Sequence, residues 1–357
     1  MWHLISRRTQ TLALFRSSLL ALAVVTQTAC SDPKTAAPSE SGKTLSNVLQ
    51  RGYVRCGANQ STVGFGAVDA TGYWRGIDVD TCRAVAAAVF GDREKARFVP
   101  LTGQQRLTAL QTGEIDILPR TTTWTLLRDA NGVNFTIPNF YDYTGFMVRK
   151  DAQVTDVKGL KGASVCVQTG SLTEVTFADV SRKFQLDMRP VVFDSTQATR
   201  QAFFSGRCDA LITDASALAS VRATQAKHAD EFIIFPANDE VTPLTPAVRH
   251  GDDQWFDIVK FSIEALIVAE QLGLTQANVD AQRASEDPTI RRFLGIERGN
   301  GKALGLNEDW AYQIVKQVGN YAEIYDRNVG RDSPLKIERG LNRLQRDGGL
   351  MLPLAFF

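Results

Sequence analysis

An α/β chain folded as two lobes is what this sequence predicts, and three observations carry that expectation. From Thr44 onward, short apolar runs alternate with segments of helical period, the rhythm of strands covered by helices on both faces. Two stretches echo each other: Ala109-Leu110-Gln111-Thr112-Gly113-Glu114-Ile115-Asp116-Ile117-Leu118 and Ala202-Phe203-Phe204-Ser205-Gly206-Arg207-Cys208-Asp209-Ala210-Leu211. Each reads as a helix end, a glycine stop and a short strand. Two extended segments without helical period, 143–150 and 241–250, lie where a chain would cross between lobes, the second carrying Pro243 and Pro246.

Element by element, strands are expected over 53–57, 98–101 and 115–118, with helices over 79–90, stopped by Gly91, and 104–112. The pattern restarts after 139–143. Strands follow over 164–167, 191–193, 210–213 and 232–235, and helices over 173–184, 196–205 and 215–227. From Asp253 the chain is mostly helical, beginning with 254–271. Three later segments, 311–318, 321–328 and 336–344, read as helices added to the first lobe. The predicted organisation is a signal segment over 1–29, a linker over 30–43, a first lobe over 44–142, an inserted second lobe over 143–248, and over 249–357 a return to the first lobe with a C-terminal helical extension.

Composition narrows the class. The chain has 357 residues, 44% hydrophobic and 22% charged, which suits globular domains with real cores. A net charge of +1 gives no argument for nucleic acid or an anionic membrane surface. Arg7, Arg8 and Arg16 precede an apolar run from Leu19 to Val25, and Thr28-Ala29-Cys30 follows. Those are the three regions of a secretory signal, and the run is well short of the roughly 20 residues a spanning helix needs. Gln10 and Thr11 stand where a twin-arginine signal wants apolar residues, so the general secretory route is expected. Cys30 is a candidate lipidated residue, and the Ser/Pro/Ala-rich stretch after it suits a tether, although Gln27 stands where lipoproteins usually carry Leu. Four cysteines then remain, Cys56, Cys82, Cys166 and Cys208, and an even count in an exported chain favours disulfides over free thiols. Three pairings are open; Cys56–Cys82 and Cys166–Cys208, each within one strand–helix unit, are favoured. His3, His228 and His250 are scattered and no Cys-x-x-Cys occurs, so neither a metal nor a cofactor is expected.

Chemistry in such a fold gathers at the carboxyl ends of strands. After the first echoing strand come Thr121, Thr122, Thr123 and Arg128; after the second comes Asp214. A guanidinium facing a carboxylate across a gap suits a zwitterion such as an amino acid. A cation at the start of the helix holding Arg128 opposes the helix dipole, a cost that a bound carboxylate offsets. The plainer reading of Asp214, Thr121 and Thr123 is helix capping, and Thr123 is expected to cap and bind at once. Ser171-Leu172-Thr173-Glu174 is a capping box, which accounts for Glu174 without catalysis. Phe65, Trp74 and Trp124 are candidates either for the pocket or for the core.

These residues resemble the type II periplasmic binding proteins of ABC importers, within them the general L-amino-acid binding class. The matching segments include Gly76-Ile77-Asp78-Val79-Asp80-Thr81-Cys82-Arg83, Thr122-Thr123-Trp124-Thr125 with Arg128, Val165-Cys166-Val167-Gln168-Thr169-Gly170, Gly206-Arg207-Cys208-Asp209, Arg249-His250-Gly251-Asp252 and Gln317-Val318-Gly319-Asn320-Tyr321. The resemblance runs from about Leu45 to the carboxyl end. It implies two α/β lobes joined by two crossing strands and closing on an L-amino acid, which is handed to membrane permease subunits by a monomer that needs no cofactor. Arg128 is then expected on the α-carboxylate with Thr123 and the amides of Ser171, Leu172 and Thr173, and Asp214 and the Thr121 carbonyl on the α-ammonium. The neutral Asn59 and small Thr62, where specific relatives carry an acid and an aromatic, imply breadth over side chains. A lyase of the cyclohexadienyl or arogenate dehydratase kind on the same fold is the alternative, and it requires an acid such as Glu174 in the cleft.

Overall fold

The computed structural model describes residues 42–356; the signal segment and Cys30 lie outside the described residues. Two α/β lobes share the chain, and the second is the more regular. Its sheet has five strands in the order Phe232–Leu244, Phe140–Arg149, Ala210–Asp214, Ser164–Gln168 and Arg189–Phe193. The last three run parallel, and the first two are antiparallel neighbours. Period-two alternation divides each central strand between two cores. Phe146, Val148, Val165, Val167, Ala210 and Ile212 pack on one face; Met147, Cys166 and Leu211 pack on the other.

The first two strands in that order are the crossings between lobes. Phe140 pairs with Leu244 and Tyr143 with Val241 near the first lobe, and a bulge between Pro236 and Val241 separates that pairing from the one deeper in the second. After the second crossing, Ala247–Arg249 pairs antiparallel with Val133–Phe135, so the chain is back in the first lobe by Ala247.

In the first lobe, Val54–Ala58 runs parallel to Ala96–Pro100. The expected strand over 115–118 forms only single bridges, Ile117 to Cys56 and Leu118 to Ala247, which join the two small ladders. Every residue of the Ile77–Phe90 helix except Phe90 is buried, because the Asp253–Gln271 and Trp310–Val318 helices cover the side that the strands leave open. Its start requires glycine. Gly76 sits at φ +134, and a Cβ there would stand 1.9 Å from the Phe65 carbonyl oxygen. Cys56 is joined to Cys82 and Cys166 to Cys208, tying strand to helix in one lobe and strand to strand approach in the other.

The helix expected over 336–344 is absent. Lys336 and Gly340 adopt φ +51 and +47, and only Gly340–Asn342 makes a 3-10 turn. The segment is held by side chains instead. Asn342 exchanges hydrogen bonds with both backbone groups of Tyr141 at 2.7 and 2.9 Å, and Arg339 forms a bidentate pair with Glu270. No helix among the described residues is long and apolar enough to cross a membrane.

Candidate ligand-binding cleft

Strand ends from both lobes meet at a closed cleft. Lobe-to-lobe hydrogen bonds hold it: Arg200 donates to the Ser61 carbonyl (2.7 Å) and Thr62 Oγ1 (3.0 Å), and Ser220 donates to the Val63 carbonyl (2.9 Å). The cavity between the lobes is lined by Asn59, Thr62, Thr121 and Thr123 from one lobe and by Ser171, Leu172, Thr173 and Asp214 from the other. Eight of the sequence-predicted site residues are thus brought together. Arg128 is the exception: its guanidinium donates to the Thr123 carbonyl at 2.9 Å and stands behind that residue, outside the lining.

Asp214 ends its strand at the N-cap position of the Ala215–Thr224 helix, yet its carboxylate makes no capping bond. Asp142, on the first crossing strand, takes over that work by accepting from the Ser216 amide and hydroxyl. The plain capping reading of Asp214 therefore fails, and its carboxylate is left to the cavity. Burial holds both carboxyls above their ordinary range, and the Asp142 charge pushes Asp214 further. Arg106, Arg128 and Arg120 act in the opposite direction.

Opposite, Thr121 is strained at φ +35. Asp78, in the first turn of the Ile77–Phe90 helix, holds it there by accepting from the Thr121 amide at 2.9 Å. Thr125, not Thr123, caps the next helix, accepting from the Arg128 amide. That helix is a single turn, Leu126–Asp129, so it has no macrodipole for Arg128 to oppose, and the dipole argument does not apply. In the second lobe, Ser171 caps Leu172–Lys183 by accepting from the Glu174 amide, and its hydroxyl also meets Thr173 Oγ1 at 2.8 Å. Glu174 accepts from the Gly170 amide at 2.9 Å, not from the Ser171 amide, so only the Ser171 half of the expected capping box forms; Glu174 is absent from the cavity lining.

Sequence reasoning missed three buried arginines in the lining: Arg106, Arg120 and Arg200, exposed by only 4%, 4% and 2%. Arg120 directly precedes Thr121, so the strand-end argument that selected the threonines would have found it. Arg106 and Arg200 sit in the helix preceding each echoing strand. The aromatic candidates do not line the cavity. Phe65 is core, edge-on to Phe140; Trp74 lies against Phe98; and Trp124 stacks on Phe135.

Residues 54–331 match the bacterial extracellular solute-binding proteins, family 3. The chain is 51% identical to the general L-amino acid-binding periplasmic protein AapJ of Rhizobium johnstonii, over 88% of this chain and 93% of that one. It is 45% identical to the glutamate/glutamine/aspartate/asparagine-binding protein BztA of Rhodobacter capsulatus, over 90% and 95%. Among solved structures it is similar to an ABC transporter periplasmic binding protein from Brucella ovis with glutathione bound, at 44% identity and a TM-score of 0.85, covering 88% of this chain and 99% of that one.

Proposed function

The chain belongs to the bacterial extracellular solute-binding proteins, family 3, and from that premise we propose that it captures L-amino acids outside the cytoplasm for an ABC importer. The observation that carries this reading is the Asp214 carboxylate, which caps no helix and lines the cavity together with a helix start of its own lobe and the Thr121 and Thr123 residues of the other. An α-ammonium fits Asp214 and the Thr121 carbonyl. An α-carboxylate fits Thr123 and the first amides of the Leu172–Lys183 helix, with Arg128 supplying positive charge from behind Thr123.

Binding proceeds in two steps. The ligand first meets the lobe that carries Thr121, Thr123 and Arg128; the other lobe then swings in about the crossing strands, adding Asp214 and the Ser171–Thr173 amides. Closure engages Arg200 with Ser61 and Thr62, so the closed, loaded form is distinct in shape from the open one and is the form a permease can select. Recognition of groups common to all amino acids supports breadth over side chains. The protein acts as a monomeric binding protein, not an enzyme, with Cys30 as its candidate lipid tether.

A thermal-shift screen of refolded, ligand-free protein against the twenty L-amino acids tests the reading, because a ligand of the native state raises the melting temperature by mass action. Shifts with several chemically different amino acids are expected. No shift with any of them would overturn it.

A further inference from the structure

Positive charge is in excess inside the cleft. Three guanidiniums, Arg106, Arg120 and Arg200, line it with one carboxylate, Asp214; a fourth, Arg128, stands behind Thr123, and Asp78 and Asp142 lie behind Thr121 and Ser216. None of those four arginines takes part in an ion pair among the described residues, although pairs of other arginines are common there. Two of the four stand where the neutral Asn59 and small Thr62 leave room for a side chain. Arg200 contacts Thr62 directly, and its Nε is buried without a hydrogen-bond partner. Arg120 is fixed by one bond, Nε to the Leu101 carbonyl at 2.6 Å. Burial lowers both to about 10, so both remain charged at neutral pH.

We infer that Arg120 and Arg200 form a second anion site at the side-chain end of the cleft, and that the preferred ligands are amino acids carrying a second carboxylate. The inference rests on the amino-acid capture reading and sharpens it. A zwitterion adds no net charge, so it leaves the excess cation buried and uncompensated, which is costly in a closed site. A ligand of net charge −1 reduces that excess and gives the guanidiniums charged acceptors in place of neutral ones. There is also space for it. A second chamber shares Asn59, Arg120, Gln168 and Thr196 with the main cavity and is walled by further amides and hydroxyls, among them Gln105 and Gln197. Arg120 stands on the boundary between the two. The first lobe offers no acid at position 59 to neutralise it.

Calorimetric titration of the ligand-free full chain with L-glutamate, L-glutamine, L-aspartate, L-asparagine and L-alanine decides the matter. Each acid is nearly isosteric with its amide, so their ratio isolates the charge. The acids are expected to bind about tenfold or more tightly than their amides, a charge-assisted bond against a neutral one. In Arg120→Gln that ratio should fall toward one, the acids losing far more affinity than their amides. If Arg200 served only as a lobe latch, Arg200→Gln would weaken all five ligands alike; selective loss of the acids supports the site. Glutamine binding as tightly as glutamate to the unaltered protein would overturn the inference, even where a variant fails to fold, and would leave amino-acid capture standing. Failure of all five to bind would also overturn the inference, with the screen of twenty amino acids deciding capture itself.

Discussion

Replacing Asp214 by Asn changes one charge and almost no volume. The structure makes its consequence calculable, because the Ala215–Thr224 helix does not use this carboxylate and Asp142 supplies the cap. Helix stability is therefore expected to survive the change. In the proposed binding mode, what is lost is the charged partner of the ligand ammonium. A hydrogen bond to a charged group contributes about 1.5–3 kcal/mol, and the amide oxygen retains a neutral fraction of it, so a loss of about 2 kcal/mol, or roughly 30-fold in affinity, is expected. The pH dependence carries a second signature. Burial and the neighbouring Asp142 raise the Asp214 carboxyl above its ordinary value of 3.8. A raised carboxyl stabilises the empty closed cleft at acidic pH and loses that contribution as pH rises through its folded value. Ammonium binding needs the ionised form and expels the proton. Affinity should thus fall as pH drops below neutrality toward the ordinary carboxyl range, by at most about tenfold per pH unit. Because Asp142 and Asp214 titrate together, the slope belongs to the pair, and Asp214→Asn should flatten it without abolishing the Asp142 contribution. Calorimetry at about pH 7.5 and about pH 5.5, in two buffers of different ionisation enthalpy, measures both affinity and proton release. An Asp214→Asn protein with affinity within about threefold of the original and the same pH profile would exclude Asp214 as the ammonium partner.

Further expectations follow from other parts of the fold. Arg128→Ala should weaken every L-amino acid by about 30-fold or more, since a buried carboxylate loses its cation; near-normal affinity by equilibrium dialysis would remove Arg128 from the site. Replacing Cys166 and Cys208 by Ser opens a loop with a sequence separation of 42, and the chain-entropy relation puts the loss near 4 kcal/mol in urea unfolding; a loss below about 1 kcal/mol would contradict a structural bridge. Glu264, 1% exposed, is raised to about 7 by burial despite the Leu354 amide that it accepts. Its contribution is full below the ordinary value of 4.5 and is lost as pH rises through about 7. Glu264→Gln keeps the acceptor without the charge and should exceed the original by about 3 kcal/mol near pH 8.5, converging with it in acid; parallel melting curves at both pH values would contradict this.

Much of the scaffold was legible because it depends on local pattern. The helix expected over 79–90 forms as Ile77–Phe90, ended by Gly91 in the left-handed conformation, and the helix expected over 321–328 forms as Tyr321–Asn328 behind a capping box from Asn320 and Glu323. The 336–344 stretch was misread because its residues suit a helix, whereas their bonds go to Tyr141 and Glu270 far away in sequence. The site divides in the same way. Strand-end logic located Thr121, Thr123 and Asp214. It was blind to Asp142 replacing Asp214 as a cap across 74 residues to Ser216, and to Arg106 and Arg200 meeting from opposite lobes. Those features exist only once the crossing strands have placed the lobes together.

The proposed cleft grips the α-ammonium and α-carboxylate shared by all amino acids. Calorimetric comparison of free L-glutamate and L-alanine with their N-acetyl derivatives, on refolded ligand-free protein, tests it most directly. One site per chain is expected for the free amino acids, with loss of binding when acetylation removes the positive charge proposed to meet Asp214. Equal affinity for the acetylated ligands, or no binding of the free ones, would contradict it.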